Sequence, residues 1–457
     1  MAGVLRIANA AASSVPRRLA LASSNSSGSS CSVCCSKREF SALLTPLEEF
    51  PGTPATTPTP NHASTVSHTT LPNGITVISE DTNNTCTISL TYPNAGSYSE
   101  QGPSEVGASL VNRFLSLKSG SGLSAAVILR NMEDDGATPF ASSSRYGATV
   151  GFTAARDKAV RLVPLLATTS SFERWDVRDS KKSAMIEVND ALSSTQTVLT
   201  ESLYSAAYGA QTNAGKAQYP LTQPTTGAVQ AFRDRAYALN GAVLAATGIP
   251  DHAAFCDAVE YSFSESNVGD PVRHHQGEAP VFIGGETRVH VPGAGFTHLA
   301  LGLHVDSMSA ALGQVTAGCI DVMTAGEGVS GFAAPVGATG GGLIGAYAGS
   351  NIAGESPAAL DRLCAVLTGP APSADVVERV KALAKAKAVF QMEDGSKNLA
   401  EGLTQSVFER TASSAFGEEY DAITAEDVKL VFERMMGGGT PPAIASVGDT
   451  TSVPYLG

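Results

Sequence analysis

Apolar positions along this chain fall into two registers, one of period two and one near 3.6, and the switches between them mark out the elements. Thr87 to Tyr92 and Thr297 to Val305 alternate apolar and polar side chains, the pattern of half-buried strands. Ile75 to Ile78 follows the turn Leu71-Pro72-Asn73-Gly74 and is expected to pair with the Thr87–Tyr92 strand; Thr287 to Val291 follows Gly284-Gly285 and stands in the same relation to Thr297–Val305. Ala242–Gly248 and Pro442–Gly448 are short runs of small apolar residues that end in glycine, which predicts buried strands. Thr225–Arg235 and Thr424–Arg434 carry the helical period, with Thr424 as N-cap and Asp427 three residues on. Val376, Val380, Leu383, Lys387 and Phe390 trace one face of another helix, opened by Ser373 after Pro372.

The order of these pieces recurs at a spacing of about 200 residues. Two strands come first, then helices, then a closing helix and a small-residue strand. The pattern predicts an α+β fold with two homologous domains, each a mainly antiparallel sheet covered on one face by helices. The expected boundaries are 68–265 for the first domain, a linker at 266–280 holding His274, His275 and Glu278, and 281–457 for the second.

Composition changes the picture mainly at the N-terminus. Residues 1–40 hold Arg6, Arg17, Arg18, Lys37 and Arg38 among Ala and Ser, with no acid before Glu39. Basic, serine-rich and acid-poor composition predicts an organelle transit peptide, and Arg38-Glu39-Phe40-Ser41 is similar to a mitochondrial cleavage site. Residues 41–67, with Pro51, Pro54, Pro58 and Pro60 among Thr and Ala, are expected to form an extended arm. Elsewhere 43% hydrophobic and 16% charged residues over 457 positions describe a globular chain. No apolar run approaches the roughly 18 residues of a transmembrane helix. A formal net charge of −13 argues against nucleic acid as a main partner. Cys86, Cys256, Cys319 and Cys364 are scattered singly and are expected to be reduced and mostly buried; Cys31, Cys34 and Cys35 fall in the leader.

The anchors Leu71-Pro72-Asn73-Gly74, Gly96-Ser97-Tyr98, Gly107 to Phe114, Ile128 to Glu133, Phe172 to Val177 and Gly285 to Arg288 come in an order and spacing that resembles the pitrilysin-like mitochondrial processing peptidase family, over roughly residues 68–450. That family includes the two subunits of the peptidase and the two core proteins of the cytochrome bc1 complex. The resemblance implies a processing-peptidase-like, metallohydrolase-like fold and a zinc site built on H-x-x-E-H. Two imidazoles at i and i+4 share one helix face, a glutamate acts as general base, and a second glutamate on a later helix completes the ligands.

Here the five motif positions read Leu110, Val111, Asn112, Arg113 and Phe114, and there is no histidine between His68 and His252. H-x-x-E-H and H-x-x-x-H occur nowhere in the chain, so a small shift of alignment restores nothing. Leu110 and Phe114 are expected to join Val106 and Leu117 in an apolar stripe. Glu187 matches the remaining acid: a solvated helix-face carboxylate is the favoured reading, and a pair with Arg113 is the other. No catalytic residue, metal or cofactor is expected. His298 and His304 lie on one face of their strand and read as structural.

Glycine is dense from Gly326 to Gly354, but no lysine lies between Lys216 and Lys381, which excludes a P-loop. In the resemblance, Ala325–Gly331 falls near a presequence-handling loop, though it is short, and Gly340 to Tyr347 is expected to be a core strand in which glycine permits close packing.

The resemblance implies one of two non-catalytic roles. The first is a core-type subunit of the bc1 complex on the matrix side of the mitochondrial inner membrane. It would be partnered by a core protein 1 or processing peptidase beta-like subunit and would support cytochrome b, cytochrome c1 and the iron–sulfur protein. The second is the presequence-binding alpha subunit of the processing peptidase. The residues around Trp175 favour the first.

Overall fold

In the computed structural model the described residues are 65–120, 123–167, 172–264, 280–306, 308–336, 341–352, 354–393, 395–408, 418–437 and 441–455. The expected leader at 1–40 lies outside them, as do the arm up to residue 64 and the linker except residue 280.

The first half opens with β1 (Val66–Thr70), β2 (Thr76–Glu80), β3 (Thr85–Tyr92) and α1 (Ala108–Leu115). It continues with the short pair β4 (Ser119–Gly120) and β5 (Leu123–Ser124), then α2 (Ala125–Asp134), β6 (Thr138–Ser143), β7 (Ala148–Ala155) and α3 (Val163–Ala167). It ends with α4 (Arg174–Ser193), α5 (Thr195–Tyr208), α6 (Thr226–Ala236), β8 (Val243–Ala246) and α7 (His252–Ser262). The second half holds β9 (Gly285–His290), β10 (Thr297–Val305), α8 (Ala310–Met323), β11 (Val329–Val336), β12 (Gly341–Ser350) and α9 (Ser356–Thr368). After these come α10 (Ala374–Glu393), α11 (Ser396–Phe408), α12 (Glu418–Asp421), α13 (Ala425–Gly437) and β13 (Ala443–Gly448).

The first sheet has the order β1-β2-β8-β3-β7-β6, and the second, taken from its opposite edge, β9-β13-β10-β12-β11. Apart from β1 the two orders are the same, with β8 and β13 in equivalent places. In each sheet these closing strands form the one parallel pairing, β8 with β2 and β13 with β9, and the rest is antiparallel. The α+β class and the internal repeat are therefore as expected from the pattern.

Three local expectations are corrected. Ile75–Ile78 and Thr87–Tyr92 do not pair with each other, because β8 sits between them, and β13 separates β9 from β10 in the same way. Local alternation identifies a strand and says nothing about a partner 150 residues away. Strand pairing also begins at Val66, opposite Glu80, inside the segment read as arm. Finally, α10 buries Val377 and Val380 and leans Ala384 and Ala388 on the core, whereas Leu383 and Phe390 of the expected face are 62% and 68% exposed.

Helices were expected on one face of each sheet, but both faces of both sheets are covered. On one face the first sheet packs Ile88, Leu90, Phe152 and Leu244 against Ile128 and Met132 of α2, Phe232 of α6 and Phe255 of α7. The second sheet packs Leu299, Leu301, Ile344 and Ile444 against α8, α9 and α13. The opposite faces exchange helices. Leu199, Leu203 and Ala207 of α5, from the first half, lie on Ala300, Leu343, Ala443, Ala445 and Val447 of the second sheet. Ala400 and Leu403 of α11, from the second half, lie on Ile78, Val243 and Ala245 of the first, and Ser396 Oγ meets Thr87 Oγ1 at 2.8 Å. Small residues on β8 and β13 let these helices come close.

Glycine does the same inside the second sheet, where a Cβ on Gly345 would stand 1.9 Å from the carbonyl oxygen of Leu301. The packing reading of this strand therefore agrees with the structure at Gly345; Gly340 lies outside the described residues.

Truncating the exchanged helix tests its weight. Leu203→Ala is expected to lower stability by about 2–5 kcal/mol in equilibrium urea denaturation.

Candidate functional site

Helix α1, where the five motif positions of the resemblance fall, is fixed from its N-terminus. Gly107 caps α1 at φ +85°, a conformation that costs glycine no Cβ clash. The Glu100 carboxylate folds onto this end. It accepts the N–H of Gly107 at 3.1 Å, the N–H of Ser109 at 3.0 Å and the hydroxyl of Ser109 at 2.7 Å. An acid there complements the helix dipole and satisfies donors that the helix leaves open. Burial pushes the Glu100 carboxyl above the usual range, against the pull of those hydrogen bonds and of Lys216. Lys216 Nζ locks the segment by donating to the Glu100 carbonyl at 2.8 Å.

Leu110, Val111 and Leu115 are buried with Val177, Ala184 and Val188 of α4 and Val229 of α6, and Phe114 packs against the same cluster. The two positions that would present imidazoles are thus joined to an apolar core. The expected stripe is shorter than the sequence suggested: α1 ends at Leu115, and Leu117 turns to the sheet-side core.

Arg113 and Glu187 meet across the α1–α4 contact. Arg113 Nη1 donates to Glu187 Oε1 at 2.9 Å, and Nη2 donates to Oε2. The side chains are 17% and 27% exposed, so the solvated reading of Glu187 is replaced by a shielded, two-pronged ion pair. The Arg113 guanidinium also lies over the Phe114 ring, 4.4 Å from its centroid. A guanidinium cannot accept a proton and so cannot act as the general base of the family mechanism. It also engages both oxygens of the one carboxylate that a metal would need. Among the described residues, no three His, Cys, Asp or Glu side chains come together as a metal site.

His304, His298 and His252 have structural partners. His304 Nδ1 bonds Tyr208 Oη of α5 at 2.9 Å, and His298 Nδ1 bonds Tyr347 Oη at 2.6 Å. Their shared strand face is the one that receives the exchanged helix. His252, which the sequence did not single out, links β1 and β2 to α7 through Thr69 Oγ1 at 3.0 Å and Ser79 Oγ at 2.7 Å. Its place after the N-cap Asp251 was the available signal. His274, His275 and Glu278 lie outside the described residues. Gly326 and Gly328, at φ +94° and +71°, form the tight turn from α8 into β11. The four described cysteines are free thiols, and burial pushes Cys86 up to about 12 and Cys319 up to about 11.

Residues 75–221 match the family model of insulinase, peptidase family M16. Among curated proteins, the chain is 25% identical over 431 residues to the mitochondrial-processing peptidase subunit alpha of Solanum tuberosum, covering 84% of this chain and 82% of that one. It is 27% identical over 266 residues to the probable mitochondrial-processing peptidase subunit alpha-2 of Arabidopsis thaliana, covering 57% and 52%. Among solved structures, a chain of "Complex III2 from Candida albicans, Inz-5 bound" superposes with a TM-score of 0.69 at 18% identity, covering 86% of this chain and 98% of that one. Residues 75–221 are thus similar to an M16 peptidase domain. The resemblance read from its anchors holds in sequence and in fold.

Removing one side of the ion pair leaves the other charge half-buried. Glu187→Gln is expected to lower stability by about 1–2 kcal/mol, and the double variant Arg113→Leu with Glu187→Leu is expected to recover most of it, both by urea denaturation.

Burial lowers the pKa of His252, His298 and His304, so the fold favours their neutral forms. Their contribution is intact above the unfolded value of about 6.5 and is lost as pH falls through that value toward the lower folded ones. The thermal midpoint is therefore expected to fall between about pH 7 and pH 5, and a double variant His298→Asn with His304→Asn should flatten that slope.

Proposed function

We propose that this chain is a non-catalytic core subunit of the mitochondrial ubiquinol–cytochrome c reductase, the bc1 complex, of the core protein 2 kind. One observation carries the non-catalytic part. At the helix where an M16 peptidase holds its zinc, the side chains are Leu110, Arg113 and Phe114, and the remaining acid, Glu187, is held by Arg113. The likeness of fold to a Complex III2 chain supports the core assignment, because it spans nearly the whole of that chain.

In this reading residues 1–40 direct import and are removed, and 68–265 and 281–457 act as two peptidase-like domains. The subunit then sits on the matrix side of the inner membrane beside a core protein 1-like or processing peptidase beta-like partner. No described helix is long and apolar enough to cross a membrane, so the proposal has the chain held by cytochrome b, cytochrome c1 and the iron–sulfur protein. Its role is support and assembly, with no heme, quinone or metal of its own.

A second reading, the presequence-binding alpha subunit of the processing peptidase, is favoured by the potato and Arabidopsis relatives. Both readings predict the same filled motif, so the test has to be made on the assembly.

Native fractionation of mitochondrial membranes with heme detection separates them. The chain is expected to co-migrate with a heme-containing assembly. Recovery as a soluble heterodimer with a zinc-bearing partner would overturn the core reading in favour of the alpha subunit. Stoichiometric zinc in the isolated chain, or presequence cleavage by it alone, would overturn both.

A further inference from the structure

Helices α4 and α10 hold equivalent places, each packed on the first helix of its half, α1 and α8. The residues they turn inward give the register. Val177, Ser180, Ala184 and Val188 face the core on α4, and Val377, Val380, Ala384 and Ala388 do so on α10, each 200 positions later. The outward faces differ. Where α4 carries Ser183, Glu187 and Asp190, α10 carries Leu383, Lys387 and Phe390. Leu383 and Phe390 are 62% and 68% exposed. Between them α10 has Ala386, where α4 has the larger Ile186. The first half builds the same helix with polar groups at 183 and 190, so the fold itself does not call for Leu383 and Phe390 in water.

Leu383, Ala386, Lys387 and Phe390 stand at i, i+3, i+4 and i+7. Four such positions on one helix form the hole that receives a side chain of a partner helix. Here Ala386 is the floor, Leu383 and Phe390 are the walls, and the mostly apolar depression between them has Gln391 on its rim. Charge narrows the occupant. Lys381 is paired with Glu378 and Lys385 with Asp421. Lys387 makes no ion pair among the described residues. A second copy of α10 would set Lys387 against Lys387 across a two-fold, like charge on like. A bilayer offers no side chain to fill the hole, and the wider apolar face of α10 is turned to the core and not to lipid. We propose that the Leu383–Phe390 face of α10 docks an amphipathic helix of another protein, which places an aliphatic side chain over Ala386 and an Asp or Glu beside Lys387. The inference stands independently of the function proposed above.

The test is made in cells that produce the full chain, with the photoreactive p-benzoylphenylalanine at Gln391 on the rim. After irradiation the cross-linked peptide is sequenced by mass spectrometry. The expected adduct is a peptide of a different polypeptide, helical in its apolar period, with Asp or Glu within one turn of the attachment point. Lys387→Glu is expected to lower the yield of that adduct about tenfold, and reversal of the partner's acid to lysine to restore it. The double variant Leu383→Ser with Phe390→Asp, which copies the outward face of α4, is expected to keep the thermal midpoint and lose the adduct. An adduct to a second copy, to another segment of this chain or to lipid would overturn the proposal. So would the absence of any adduct, or a yield that Lys387→Glu leaves unchanged.

Discussion

Each sheet of this protein is apolar on both faces, and the rest of the architecture follows from the need to cover each one twice. A half that folded on its own helices alone would leave Ala443, Ala445 and Val447, or Ile78, Val243 and Ala245, facing water. Exchange of α5 and α11 removes that surface. It also makes each half part of the other's core. The contact of Tyr208 with His304 at this seam exists because α5 crosses onto the second sheet; beside it, Tyr347 and His298 meet within that sheet. The same exchange explains the composition of β8 and β13. A central strand pressed between helices on both sides is buried on both faces, and these two carry only apolar and small side chains.

On that frame, α1 is a packing surface. Leucine and phenylalanine at the imidazole positions extend the apolar contact with α4, and arginine at the base position captures the acid left opposite. An uncompensated Glu187 beside that apolar cluster would pay for desolvation with no partner. Glu100, Gly107 and Ser109 keep the helix in place from its other end.

Much of this was legible in the chain. Period-two runs located β3 and β10, Thr225 and Thr424 marked the starts of α6 and α13, and the repeat of order gave two similar sheets. The chain holds no H-x-x-E-H, and the expectation of a filled helix rests on that. What could not be read was partnership. β8 lies between β2 and β3 although about 150 residues of chain separate it from either. The expected face of α10 holds at Val376 and Val380 but not further on, where Ala384 and Ala388 rather than Leu383 and Phe390 turn to the core. Glu187 was taken for a solvated acid because nothing local reveals that α4 crosses α1 at that turn.

The sequence by itself determined the element types, the duplication and the absence of the metal motif, since these depend on side-chain period, turn residues and the identity of five consecutive positions. Tertiary structure alone decided which strands pair, which helix covers which sheet, and that Arg113 closes on Glu187. The physical reason is the range of the forces. Propensity and amphipathic period act over a few residues, whereas strand insertion, helix exchange and charge pairing depend on surfaces brought together from distant parts of the chain, where burial sets the cost of every polar group left without a partner.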